Sequence, residues 1–126
     1  MSEASDKPCV LVAEDEALLR MVAVEFLEDA GCTVLEAADG EQALESLKQN
    51  PGVKLLVSDI RMPRINGYQL VEQGLALRPD LKVLLMTGYT QDPVPENLTS
   101  RGVAIIYKPF DEGRFVAMAK GMLATG

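Results

Sequence analysis

The sequence predicts an α/β domain: a doubly wound, five-stranded parallel sheet with helices on both faces. Two observations carry this. Short runs rich in apolar residues recur at Cys9–Ala13, Thr33–Ala37, 54–59, Lys82–Thr87 and 103–107. Each is too short for a helix and is bounded by polar or turn residues, as strands buried on both faces are. Between them lie segments whose apolar residues recur at three and four, the period of a helix. Strand and helix in alternation imply right-handed crossovers and parallel pairing.

Each element has its own signal. Residues 1–7 are polar and read as a flexible lead-in to a domain at 8–124. The first strand, Cys9–Ala13, stops abruptly at Glu14-Asp15-Glu16. The helix expected over 17–30 carries Leu19, Val22, Ala23, Phe26, Leu27 and Ala30 as its core stripe, and Gly31 ends it as a C-terminal cap. A second apolar row, Leu18, Met21 and Val24, runs beside that stripe. Asp39 with Gln42, and Asn66 with Gln69, have capping-box spacing and open the second and third helices. The second helix stops before Pro51-Gly52; the third reaches about Leu77, and Gly74 within it marks an expected close approach to the sheet. Pro93 and Pro95 exclude a regular helix after the fourth strand, so any helix there is short and lies within 96–101. Asp111 caps a last helix carrying Phe115, Met118, Met122 and Leu123.

Composition removes several functional classes. The chain has 126 residues, enough for one domain with a real core, and 48% of them are hydrophobic. A net charge of −7 disfavours nucleic acid and anionic membrane as partners, because both select clustered Lys and Arg. No apolar stretch approaches membrane-spanning length, and the N-terminus lacks the apolar core of a signal peptide. Cys9 and Cys32 have neither metal-ligand spacing nor a disulfide framework, which fits a reducing compartment, the cytoplasm. Histidine is absent, and with it imidazole catalysis and a phosphohistidine on this chain.

Four strands end in a reactive group: Glu14-Asp15 after the first, Asp59 on the third, Thr87 on the fourth and Lys108 after the fifth. In a parallel sheet these ends share one edge, where ligands bind. Singly, each has a plainer reading: acids favoured at a helix start, a hydroxyl bonded to backbone, a surface charge. Jointly they converge. Three carboxylates in one cleft repel one another and call for a cation, and hard oxygen ligands suit Mg2+. A cation and carboxylate facing a hydroxyl and an ammonium make a cradle for a phosphoryl group. With no histidine and no cysteine at this edge, the nucleophile is an acid, and Asp59 on the central strand is best placed.

These residues, Glu14-Asp15, Asp59-x-x-Met62-Pro63-x-x-x-Gly67, Thr87-Gly88 and Lys108-Pro109-Phe110, resemble the receiver domain of two-component response regulators. The resemblance covers nearly all of 8–124. It implies a flavodoxin-like sheet of strand order 2-1-3-4-5. It implies that Asp59 accepts a phosphoryl group from a phosphohistidine on a sensor histidine kinase or histidine phosphotransferase, and that the domain then alters its binding to a downstream protein. Asp15, Asp59 and the backbone carbonyl of Arg61 would hold Mg2+, with Glu14 acting through a water. Thr87 and Lys108 would contact the phosphoryl oxygens, and Lys108-Pro109 would be cis. Leu18 and Met21 match the position where receivers meet their phosphodonors. The chain departs from the family at Ile105, where an aromatic switch residue commonly stands three positions before the lysine; Tyr107 adjoins Lys108 instead.

The expected function is therefore a phosphorylation-dependent switch, a stand-alone regulator without an output domain, promoting its own phosphorylation and dephosphorylation but turning over no separate substrate. Its expected moving part is the segment 89–102. The alternative is a small Mg2+-dependent phosphohydrolase working through an aspartyl-phosphate. Against it, Arg61 stands where a second acid is needed, two residues after Asp59, and no insertion could cap a substrate. A flavodoxin-like cofactor binder fails because no strand end carries a phosphate-binding run of Ser, Thr and Gly.

Overall fold

The computed structural model of the chain describes residues 7–88 and 102–124. Five strands form one parallel sheet: β1 (Cys9–Ala13), β2 (Thr33–Ala37), β3 (Val53–Asp59), β4 (Lys82–Thr87) and β5 (Ala104–Tyr107), in the order β2-β1-β3-β4-β5. The helices among the described residues are α1 (Ala17–Asp29), α2 (Gly40–Gln49), α3 (Gly67–Leu77) and α4 (Glu112–Ala124). This is the expected doubly wound architecture and strand order. The expectations for 96–101 and for the moving segment fall on 89–101, outside the described residues, as do residues 1–6 of the lead-in.

Each face of the sheet has its own core. Against α2 and α3, the strands bury Leu11, Leu56, Val83 and Leu85 with Ala43, Leu47, Leu70 and Val71. Against α1 and α4, they bury Val10, Val12, Leu55, Val57, Leu84 and Ile106 with Ala23, Leu27, Phe115 and Ala119. Alternate strand residues enter opposite cores, which is why the inner strands read as continuous apolar runs. Phe115 is fully buried, a side chain whose burial stabilises by roughly 2–3 kcal/mol. It stacks on Phe110 at 5.0 Å between ring centroids, tying α4 to the segment that follows β5.

The caps follow their sequence signals. Asn66 and Gln69 form a reciprocal capping box on α3, and Asp39 accepts from the Gln42 amide at 2.8 Å. Gln42 departs from the box by accepting from Ala38 rather than from the cap residue. Asp111 accepts from the Arg114 amide at 2.7 Å and opens α4. Gly31, at φ +95°, takes the left-handed conformation beyond α1 that glycine adopts without strain.

Two expectations are corrected. Gly74 faces a helix and a loop side chain rather than the sheet: a Cβ there would lie 3.3 Å from Leu47 of α2 and 3.6 Å from Leu81. Leu19 and Val22, assigned to the core stripe of α1, are exposed, while Val24, assigned to the neighbouring row, is buried. The buried stripe is thus the narrower one of Ala23, Val24 and Leu27, and Leu18, Leu19, Met21 and Val22 form one exposed apolar surface.

Candidate functional site

The predicted acids meet at the carboxyl edge of the sheet. β3 ends at Asp59, whose carbonyl accepts from the Ser58 hydroxyl at 2.8 Å, and the next amide, Ile60, donates to Met86 at 3.2 Å. One carboxylate oxygen from each of Glu14, Asp15 and Asp59 lies within 4.8 Å of the others. Glu14 is wholly buried, Asp59 nearly so, and Asp15 is open to solvent. Lys108 reaches across from the end of β5, its Nζ 3.3 Å from Asp59 Oδ2 and 3.6 Å from Glu14 Oε1. The Lys108-Pro109 peptide bond is cis, as the resemblance implies. Thr87 is buried at the end of β4, one residue beyond Met86, the register partner of Asp59. Arg61 is exposed and lines a cavity of about 500 Å³ with Asp15, Ile60, Met62, Asn66 and Tyr68.

The plain reading of Glu14, a helix-start acid, is realised too: its Oε2 accepts from the Glu16 amide at 3.1 Å. The other oxygen, Oε1, is buried without a hydrogen-bond donor. Burial pushes the Glu14 carboxyl up to about 7; the Asp59 charge and Asp15 add to this, while the Glu16 amide and Lys108 oppose it. A buried acid oxygen lacking a donor, beside two more acids, is a donor set that a hard divalent cation fits.

Two further residues anchor this edge: Gly67 belongs to the motif that follows Asp59, whereas Arg20 has no distinctive sequence signal. Arg20 of α1 donates to the Glu14 carbonyl at 2.7 Å and to Glu36 at 3.2 Å, holding the acidic turn against β2. Its only legible feature is that it lies one helical turn beyond Glu16. Gly67 is required by contact: a Cβ would fall 2.6 Å from the Asp59 carbonyl oxygen and 2.7 Å from the Ile60 Cα. The loop after β3 folds back so closely that only hydrogen fits.

Beside the acids, a cleft of about 260 Å³ is lined by Leu19, Val22, Phe26, Met86 and Phe110 together with Glu14 and Lys108. Leu18 and Met21 stand outside it at 71% and 54% exposure. Tyr107 is exposed, whereas Ile105 is half-buried against the core of α2 and α3. No described helix is long and apolar enough to cross a membrane.

The chain matches a family model described as the response regulator receiver domain over residues 10–120. It is 34% identical over 102 residues to the response regulator receiver protein CpdR of Brucella abortus (strain 2308), covering 80% of this chain and 84% of that protein. It is 35% identical over 124 residues to the sensor kinase CckA of the same organism, covering 97% of this chain but 13% of the kinase. Among solved structures, it is similar to the receiver domain of the hybrid histidine kinase CckA, at TM-score 0.78 and 34% identity over 91% of this chain and 98% of that one. It is also similar to a response regulator receiver protein of Sinorhizobium medicae WSM419, at TM-score 0.81 and 25% identity over 95% and 97% of the two chains.

Proposed function

Since the chain belongs to the response regulator receiver domain family, phosphorylation-dependent switches of two-component signalling, we propose that Asp59 is its phosphoacceptor. The observation that carries this is Lys108, whose ammonium lies between the carboxylates of Asp59 and Glu14 at the carboxyl edge of the sheet. An Asp59 oxygen attacks the phosphorus of the donor, a phosphohistidine on a sensor kinase or phosphotransferase, and the bond from phosphorus to the donor nitrogen breaks. Lys108, already paired with Asp59, follows the charge as it moves onto the phosphoryl oxygens, and the Thr87 hydroxyl donates to them.

The buried Glu14 oxygen that lacks a hydrogen bond, and the clustered acids, support a Mg2+ site formed by Asp15, Asp59 and the Arg61 carbonyl, with Glu14 acting through water. When bound, Mg2+ would neutralise the acids and the charge developing on the phosphoryl group. Asp15 is exposed and can accept a cation directly; Glu14 is already committed through one oxygen to the Glu16 amide. The family's functional role is signalling, and the chain would turn over no separate substrate. Two unpaired thiols, Cys9 and Cys32, suit a cytoplasmic setting.

Leu18 and Met21 would dock the phosphodonor. Their exposure, continuous with Leu19 and Val22 and with a cleft whose lining includes Glu14 and Lys108, supports a helix of the donor packing beside the reacting groups. Acetyl phosphate needs no such surface. Leu18→Lys and Met21→Lys are therefore expected to slow transfer from the phosphohistidine partner and to leave phosphorylation by acetyl phosphate unchanged. Equal loss with both donors contradicts the docking assignment. Continuous turnover of a generic phosphomonoester by the wild-type chain, lost in Asp59→Asn, contradicts the switch and favours the phosphohydrolase.

A further inference from the structure

We propose that Asp39 and Arg64 form a latch that positions the loop carrying Arg61 and so sets the affinity of the cation site; this rests on the cation site proposed above. The loop leaves β3 at Ile60 and enters α3 at Gly67, and its base is closed by the Gly67 amide donating to the Ile60 carbonyl at 2.7 Å. Within it, the Ile65 amide donates to the Pro63 carbonyl at 2.8 Å, a three-residue turn around Arg64, whose φ is +69°. Such a γ-turn of positive φ is rare and strained for a residue with a Cβ. Something outside the turn has to hold it.

That support comes from the start of α2. Arg64 Nη2 donates to Asp39 Oδ2 at 2.7 Å, and its Nε lies 3.3 Å from Glu41 Oε1. Asp39 is 8% exposed, and its other oxygen accepts from the Gln42 amide at 2.8 Å. Both carboxylate oxygens are committed, so Asp39 is a fixed anchor rather than a mobile surface charge. Beside it the backbones interlock: a Cβ on Gly40 would lie 2.8 Å from the Ile65 Cβ and 2.9 Å from the Ile65 carbonyl. Arg61 stands three residues before Arg64 in the same short loop, and it lines the cavity shared with Asp15. When the latch opens, the strained turn relaxes into several conformers, and the carbonyl arrangement able to bind a cation becomes one of many. Apparent affinity falls with the population of the competent conformer. Asp39 and Arg64 are positioning residues; neither touches the cation.

The test is calorimetric titration of Mg2+ into the whole chain, with thermal melting in chelator alongside. Asp39→Asn keeps the acceptor for the Gln42 amide and removes the anion. Arg64→Ala keeps a Cβ, and with it the strain of positive φ, and removes the guanidinium. Both are expected to weaken Mg2+ binding about three- to tenfold, at or below the low end for groups that orient metal ligands, while melting within a few degrees of wild type. Arg64→Lys, which retains the charge, is expected to recover part of the affinity. At saturating Mg2+ the rate of phosphorylation by acetyl phosphate should return to that of wild type, separating affinity from chemistry. Unchanged affinity in Asp39→Asn and Arg64→Ala, with wild type binding normally, overturns the latch alone. A wild-type chain that binds no Mg2+ overturns the cation site and the latch with it.

Discussion

Replacing Gly67 by alanine tests how tightly the phosphoacceptor strand and its loop are packed. The added methyl would sit 2.6 Å from the Asp59 carbonyl oxygen, 2.7 Å from the Ile60 Cα and 3.2 Å from the Asp59 carbonyl carbon. All three atoms are backbone, so no side-chain rotation relieves the contact, and the loop must shift. Overpacking of this kind costs about 1–3 kcal/mol, and the backbone targets place it in the upper part of that range. A more favourable helix propensity returns less than about 1 kcal/mol at the first turn. The net loss of about 2 kcal/mol lowers the melting temperature by about 8 °C for a domain of this size. Gly52→Ala is the control, because nothing lies within 4 Å of a Cβ there. It should be neutral or stabilise by up to about 1 kcal/mol. Thermal melts of the two variants in chelator decide the stability part, and acetyl phosphate labelling well below the melting temperature tests the displaced Asp59 carbonyl. Gly67→Ala melting within about 1 °C of wild type, with an unchanged labelling rate, would refute the packing argument.

Two further outcomes follow from the charges at this edge. Asp15→Ala is expected to weaken Mg2+ binding strongly and Glu14→Ala less, since an open acid binds directly and a water-mediated one contributes less; equal affinities in a titration contradict that division. The Gln42 amide and the Arg64 guanidinium hold the Asp39 carboxyl below its ordinary range, so the unfolded chain binds the extra proton first as pH falls. The stabilisation from Asp39 is therefore complete above about pH 4 and disappears as pH drops through its folded value. Urea denaturation should find Asp39→Asn less stable by about 1 kcal/mol at pH 7, and level with wild type at the acid end; a constant difference across that range contradicts the assignment.

Much of this was legible in the sequence because the signals are local. Runs such as Leu55-Leu56-Val57 could only be strands buried on both faces, and the caps at Asp39, Asn66 and Asp111 follow from the side chain itself. The strand-end acids and Lys108 were found because a parallel sheet puts all its carboxyl ends together. What escaped depends on where elements lie against one another. The rotation of α1 could not be read, because Leu19 and Val24 are equally apolar and only the position of the helix over the sheet decides which is buried. Gly74 meets Leu47 and Leu81 rather than the sheet for the same reason, since a glycine declares closeness but not to what. Arg20 and Arg64 look like ordinary surface charges until their partners, Glu14 and Asp39, are brought to them from distant points in the chain or around a turn.

The central claim is that Asp59 carries the phosphoryl group, and locating the modified residue tests it most directly. An aspartyl phosphate is an acyl phosphate, which borohydride reduces to homoserine, a stable mark that survives proteolysis. Acetyl phosphate and Mg2+, followed by borohydride and peptide mass mapping, should convert Asp59 and no other residue in the wild-type chain. Asp59→Asn should give no conversion. A mark on Asp15 or Glu14 in the wild-type chain, or labelling of Asp59→Asn to the wild-type extent, would contradict the account.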